Sequence, residues 1–191
     1  MTLRDAAHKP AKGNEIYSFP PVGDPASLML ILGSMPGKAS LSANEYYAHP
    51  RNAFWKIIAS LTGAEPDLPY ASRVDMLTSG KIALWDVLAS CTRNSSLDAD
   101  IVSSSITAND FLSFYRSHPK ITQVFFNGVH AEASYKKHVL PALDGEFEHI
   151  AYRRLPSTSP ANASLTFEQK LTAWRTALEP AVNDFHGKTP T

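Results

Sequence analysis

Apolar positions gather along the chain into four short runs, with helix-patterned stretches between them. Leu28–Leu32, Ile82–Leu88 and Ile121–Phe126 are nearly continuous in apolar character, and Glu148–Leu155 is mixed. Runs of this length, bounded by turn-forming residues, read as strands. Near-continuous apolar strands are expected where helices cover both faces of a sheet. Between them, Asn52–Leu61 carries Phe54, Trp55, Ile57, Ile58 and Leu61 at helical spacing. Ala108–Ser117 reads as a helix capped by Asn109, and Val129–Val139 as another. Phe167–Val182 places Leu171, Trp174 and Leu178 on one helix face. The alternation predicts an α/β protein, a three-layer α/β/α sandwich with a short central parallel sheet of about four strands.

One domain is expected over residues 25–185. An irregular arm over 1–24, with its three prolines and two glycines, would precede it, and a frayed tail over 186–191 would follow. In parallel sheets of this type ligands bind beyond the carboxyl ends of the strands. Function is therefore expected in 33–52, 89–96, 127–130 and 156–164.

Composition narrows the classes. The 191 residues suffice for one domain with a sizeable core. Lysine plus arginine equals aspartate plus glutamate, 18 each, so no global field draws the chain to nucleic acid. A nucleic-acid reader of this composition must gather its basic residues locally. The single cysteine, Cys91, excludes an internal disulfide and a cysteine-ligated metal cluster. Without a signal-like or membrane-length apolar run, the chain reads as a soluble cytoplasmic protein, nucleoid-associated if bacterial, with no membrane partner. A monomer with no metal and no organic cofactor is expected.

The densest chemistry follows the first strand, in "LILGSMPGKASLSANEYYAHPRNAFW" over 30–55. A phosphate-binding loop needs four residues between its glycines and a hydroxyl after the lysine. Here three residues separate Gly33 from Gly37, Ala39 follows Lys38, and Pro36 removes a backbone donor. A tight turn leaving a strand fits better, but it does not account for the polar and aromatic string behind it.

That string resembles the uracil-DNA glycosylase superfamily. The Gly-x-x-Pro-Gly turn paired with "YYAHPRNAFW" is similar to its mismatch-specific branch. The Gly-Ser-Met-Pro-Gly form, with "LWDVLASCTRNSSLDADI", "FFNGVHAE" and "LPSTSPANAS", is closer to the hypoxanthine-DNA (deoxyinosine) glycosylase branch. The likeness runs from about Leu28 to Leu178 and keeps the motif order. It implies hydrolysis of the N-glycosidic bond of a deaminated base, hypoxanthine first and uracil second, after the nucleotide is flipped out of DNA.

Residue roles follow from the resemblance. Met35 stands where most of the superfamily has Asn or Asp, and a thioether cannot activate water as those groups can. The catalytic role passes to Asn52, which would orient the water or hydrogen-bond the leaving base; its structural alternative is a helix N-cap. Tyr47 would stack the base, and Gly33, Ser34, Met35, Pro36 and Gly37 would shape the pocket. His49-Pro50 would fix the turn into the helix. Asp86 would face the base edge, protonated or slightly remote, or simply cap a loop. Asn127 reads as part of a turn, with a pocket wall as the functional alternative. Ser157, Thr158 and Ser159, with the N-terminus of the following helix, would hold the DNA phosphates. Ala161 and Asn162 would occupy the gap left by the flipped base. Arg51 and Lys38, with Arg153 and Arg154, would supply a local positive rim. No lysine stands out as a Schiff-base nucleophile, so a monofunctional glycosylase is expected.

Two other readings stay open on sequence alone. Met35 motivates a superfamily member that binds DNA or a nucleobase without chemistry. The neutral net charge motivates a small-molecule α/β protein unrelated to DNA.

Overall fold

The computed structural model describes residues 15–65 and 67–186. Its centre is a four-stranded, all-parallel sheet: β2 (Met29–Gly33), β3 (Ile82–Asp86), β6 (Gln123–Asn127) and β7 (Ala151–Leu155), in the order β3-β2-β6-β7. The side-chain period of two divides each strand between two cores. Leu30, Leu32, Ala83, Trp85, Val124 and Phe126 face one layer, with α4 (Phe111–Ser117) and α5 (Val129–His138) packed on it. Met29, Ile31, Ile82, Leu84 and Phe125 face the other, covered by α2 (Phe54–Thr62), α3 (Tyr70–Ser79) and α6 (Phe167–His186). The expected three-layer sandwich is thus present, with β2, β3 and most of β6 buried on both faces and the edge strand β7 largely exposed. Phe54 and Trp55 are core residues of α2, as their helical spacing implies.

The structure departs from the sequence reading at several boundaries. The run Ile82–Leu88 is two strands, because the chain turns at Val87. β4 (Leu88–Thr92) leaves the main sheet and pairs antiparallel with β1 (Glu15–Tyr17) and β5 (Thr107–Ala108). The end of the stretch expected as an irregular arm is therefore ordered: β1 is a strand, and Val22 bridges to Leu84. The first fourteen residues and 187–191, most of the expected tail, lie outside the described residues. Asn109 does not cap α4. Asp110 does, accepting from Ser113 N–H at 3.0 Å, while the Asn109 amide donates to the Asp86 carbonyl at 2.8 Å. A short helix, α1 (Lys38–Ala43), follows the glycine turn. Among the described residues no helix is long and apolar enough to cross a membrane.

Candidate active site

All four parallel strands end on the same side. There Gly33, Asp86, Asn127 and the loop beginning at Ser157 surround a cavity of about 160 Å³. A dry cavity of roughly 150 Å³ can take up one benzene ring, so the space is on the scale of a single base ring rather than a nucleoside triphosphate. Its wall includes the whole turn Gly33, Ser34, Met35, Pro36 and Gly37, together with Tyr47, His49, Asn52, Ser159 and Thr158.

The glycine turn is held by its neighbours. Val87 N–H donates to the Gly33 carbonyl at 2.9 Å and Leu88 N–H to the Ser34 carbonyl at 3.1 Å. Ser34 Oγ donates to Asp98 at 2.6 Å, and the buried Arg93 guanidinium donates to the Pro36 carbonyl. Arg93 also pairs with Asp98 at 3.4 Å. Met35 is buried and packs into the core cluster that contains Leu88 and Cys91. Its thioether serves as wall and core, consistent with having no part in activating water.

Asp86 ends β3 with its carboxyl fully enclosed, and Oδ2 has no hydrogen-bond partner. Burial, and then the nearby Asp98 carboxylate, push its pKa up to about 8, against a smaller opposing effect of Arg93. At neutral pH the group is therefore mostly a carboxylic acid. Asp86 lies in the wall of the cavity.

Tyr47 adopts φ of 54°, a left-handed conformation unusual for a bulky residue and typical of constrained functional sites. One face of its ring stacks on Phe54 at 4.1 Å. Its hydroxyl is buried without a partner, and burial, reinforced by Asp86, raises the phenol far above its ordinary range. The adjoining Tyr46 is structural: its hydroxyl donates toward the carbonyls of Phe19 and Pro20, and its own carbonyl accepts from Trp55 Nε1 at 2.7 Å.

Asn52 is half-buried in the cavity wall. Its Oδ1 accepts from Phe54 N–H at 2.9 Å, an Asx-type turn leading into α2, whose N-cap position is Ala53 rather than Asn52. This leaves the amide NH₂ as the end free of that duty. His49 lines the cavity beside it and accepts from Arg51 N–H through Nδ1 at 3.1 Å, which forms the turn into α2. Arg51 itself is exposed and sits outside the cavity, in a shallow groove with Lys56 and Lys170, whereas Lys38 reaches the cavity rim.

The loop after β7 differs in part from expectation. Thr158 cannot meet a phosphate: it is 1% exposed, and its hydroxyl accepts from the Asn127 amide at 2.8 Å while its N–H donates back to Asn127 Oδ1 at 2.8 Å. Asn127 is thus both a cavity wall and the brace between β6 and this loop. Ser157 and Ser159 remain partly exposed, with their Oγ atoms accepting from Ser159 and Ala161 N–H. Asn162 bonds to Ser157 and Ser164 within its own loop, and Ala161 is exposed. Thr166 and Gln169 cap the N-terminus of α6 reciprocally, at 2.9 and 3.3 Å.

Sequence reasoning missed Ser96, Asp98 and Arg93, which complete the wall and hold the glycine turn. The available signal was the charged residues Arg93, Asp98 and Asp100 in the segment following β4. Among the described residues no group of three or more His, Cys, Asp or Glu could hold a metal ion.

This geometry can be set beside known proteins. A sequence profile of the uracil DNA glycosylase superfamily matches residues 20–180. A hypoxanthine DNA glycosylase of Methanosarcina acetivorans is 33% identical over 151 residues, covering 75% of this chain and 86% of that protein. One from Methanosarcina barkeri is 38% identical over 111 residues, covering 58% of this chain and 69% of that protein. In three dimensions the fold is similar to the NMR structure of a Methanosarcina acetivorans protein provisionally assigned as a uracil DNA glycosylase. The TM-score is 0.72 and the identity 30%, with 87% of this chain and 98% of that chain covered. The parallel sheet, the cavity at its carboxyl end and these matches agree, and the chain belongs to the uracil DNA glycosylase superfamily.

Proposed function

We infer that this protein is a monofunctional DNA glycosylase that hydrolyses the N-glycosidic bond of a deaminated base, hypoxanthine before uracil, and leaves an abasic site. The observation that carries this reading is the convergence of Asn52, Tyr47 and a neutral, buried Asp86 on one base-sized cavity. The relatives called hypoxanthine DNA glycosylase support it.

A neutral carboxyl offers one donor and one acceptor. The N1–H and C6=O of hypoxanthine need that pair. The N3–H and C4=O of uracil present a similar one, which places uracil second. Because it carries no charge, Asp86 does not repel the negative charge that develops on the leaving base. An ionised carboxylate in the same place would. Tyr47, backed by Phe54, offers an aromatic face for the base, worth roughly 1–3 kcal/mol.

Asn52 is no base, since an amide does not accept a proton near neutral pH. With Oδ1 holding the helix, its NH₂ donates to the water or to the departing base. Donors aimed at developing charge in a shielded site lower barriers strongly. The reaction then proceeds with the glycosidic bond breaking well ahead of water attack. Water supplies a hydroxyl to C1′ of the sugar, and its other proton balances the one taken up by the departing base. Ser157, Ser159 and Lys38, which line the cavity, are assigned to the flanking phosphates in this reading.

Duplexes carrying single hypoxanthine, uracil, xanthine or mismatched thymine, followed by alkali at abasic sites, test the proposal. Cutting at hypoxanthine above the others is expected. Cutting mainly at uracil would keep the chemistry and change the base. Binding of a non-cleavable inosine duplex without excision on any lesion would instead support a silent binding protein.

A further inference from the structure

Among the described residues two carboxyl groups line the cavity, Asp86 and Asp98, and they lie at different depths. Asp86 is 3% exposed and borders the cavity alone. Asp98 borders both the cavity and the larger open groove beside it, with its side chain 23% exposed. Asp98 therefore stands at the mouth. With a base inside and its edge toward Asp86, the sugar, still joined to its strand, is the part of the nucleotide left at the mouth.

The surroundings of the two carboxyls differ as well. Burial keeps Asp86 neutral, and its Oδ2 has no partner. Asp98 is held by donors: Ser34 Oγ donates to Oδ2 at 2.6 Å, the length of a hydroxyl bonded to a charged acceptor, and the Arg93 guanidinium lies 3.4 Å from Oδ1. Two carboxyls that share a site and differ in charge divide its chemistry between them. The neutral one suits the leaving base. The charged one suits the sugar, which becomes cationic as the bond to the base breaks.

The attacking water also needs a proton acceptor. The Asn52 amide is none near neutral pH. His49 Nδ1 already accepts from Arg51 N–H, so the neutral ring turns a donor, Nε2–H, to its surroundings. Lys38 at the rim is a cation. A carboxylate has about four lone pairs for acceptance, and Asp98 commits two of them to Ser34 and Arg93. The same two contacts fix its orientation before any ligand arrives.

We propose that Asp98 is a second catalytic group of this site: its carboxylate holds the attacking water at the mouth of the cavity, accepts its proton and faces the positive charge that develops on the sugar. The proposal rests on the glycosylase reading above. The C1′–N9 bond breaks with its electron pair leaving on the base. The water oxygen then bonds to C1′ as one of its O–H bonds breaks, and that proton passes to Asp98 and on to solvent through the open groove. The departing base takes up one proton, so the sum is one water consumed.

The test is single-turnover excision of hypoxanthine at pH 6, well below the value of about 8 for Asp86. Loss of the Asp98 charge then leaves Asp86 protonated, because burial, the larger cause of its shift, remains. Asp98→Asn should lose about 10²-fold or more in rate, the scale of a positioned acid or base. Its affinity for a duplex holding a non-cleavable inosine analogue should stay within about threefold of wild type, since the lost interaction belongs to the transition state. Asp100→Asn removes the same charge from the same short turn, outside the cavity, and should change neither quantity. Asp98→Asn leaves Arg93 buried without its ion-pair partner, so Arg93→Met/Asp98→Asn, which removes the pair together, is measured beside it. Both variants should show the same loss of rate. A wild-type rate in either variant, or a fall in affinity as large as the fall in rate, would overturn the proposal and leave Asp98 as a brace of the glycine turn. A wild type that excises nothing would sink the glycosylase reading and this proposal with it, whereas an active wild type with an equally active Asp98→Asn overturns this proposal alone.

Discussion

Gly33 and Asp86 lie side by side at the ends of two paired strands, so close that a Cβ on Gly33 would overlap the Asp86 carboxyl. The same Cβ would come within 3.0 Å of the Tyr47 hydroxyl. The glycine is thus required by close approach rather than by backbone conformation. It allows the acid and the phenol to converge under the base cavity.

Gly33→Ala is therefore expected to displace Asp86 and Tyr47 together. Asp86 is buried, and either side chain could yield only by moving into the base cavity. Overpacking of this kind costs about 1–3 kcal/mol. Thermal denaturation should show the loss, and hypoxanthine excision should fall far more than the stability change explains. Unchanged excision would show that the base does not sit over this floor.

Asp86 gives the site a pH signature. Its proton is retained in the folded chain up to about pH 8 and lost in the unfolded chain near the ordinary carboxyl value of 3.8. Between these values the unfolded state binds fewer protons, so this group makes stability decline as pH rises, by up to about 1.4 kcal/mol per pH unit. That contribution is fully present below pH 4 and gone above pH 8. Excision should follow, falling as Asp86 ionises through about pH 8. Asp86→Asn keeps one donor and one acceptor without the titration. Its rate should be flat across that region, and its stability should lose the slope. An alkaline fall that persists in Asp86→Asn would place the titrating group elsewhere.

Asn52 has two duties that substitution can separate. Asn52→Ala removes both the acceptor for Phe54 N–H and the amide donors. It should lose about 1 kcal/mol of stability, the scale of one hydrogen bond. Asn52→Asp keeps the acceptor and loses the donors, so its melting temperature should match wild type. Both should lose excision by about 10²–10³-fold, the scale of deleting one aligned donor. An Asn52→Asp variant with full activity would contradict the donor role.

Lys38 is the lysine at the cavity rim, and it tests the monofunctional reading. Borohydride added during turnover should trap no protein–DNA adduct, and Lys38→Ala should retain the chemical step. If Lys38 meets a phosphate, the variant should bind more weakly on all sequences, with the salt slope reduced by about one. A trapped adduct that disappears in Lys38→Ala would establish a Schiff-base route instead.

Much of this architecture was legible because β2, β3 and β6 are buried on both faces, which writes them as apolar runs. The break at Val87 was not legible, since Leu88 is as buried as Leu84 and only the direction of the chain changes. The cap at Asp110 was misplaced by one residue because Asn109 has the same capping chemistry. α1 is six residues long, and α3 exposes a largely polar face, so neither shows a strong period. At the site, Asn52, Tyr47 and Asp86 came from motif resemblance, and the fold brings them to one cavity. Arg93 and Asp98 could not be found this way. Their purpose, holding a turn some sixty positions earlier, exists only after β4 has folded beside it. Thr158 reads as a hydroxyl donor in sequence, and only its burial against Asn127 shows that the hydroxyl is already used.

The most direct test of the account is the product of a single turnover. Wild-type protein would be mixed in excess with duplex DNA holding one hypoxanthine, and the products resolved by mass spectrometry. The account predicts free hypoxanthine and an unbroken strand with one abasic site, both absent with Asn52→Ala. A strand that retains its hypoxanthine, or that is cleaved without release of the base, would contradict it.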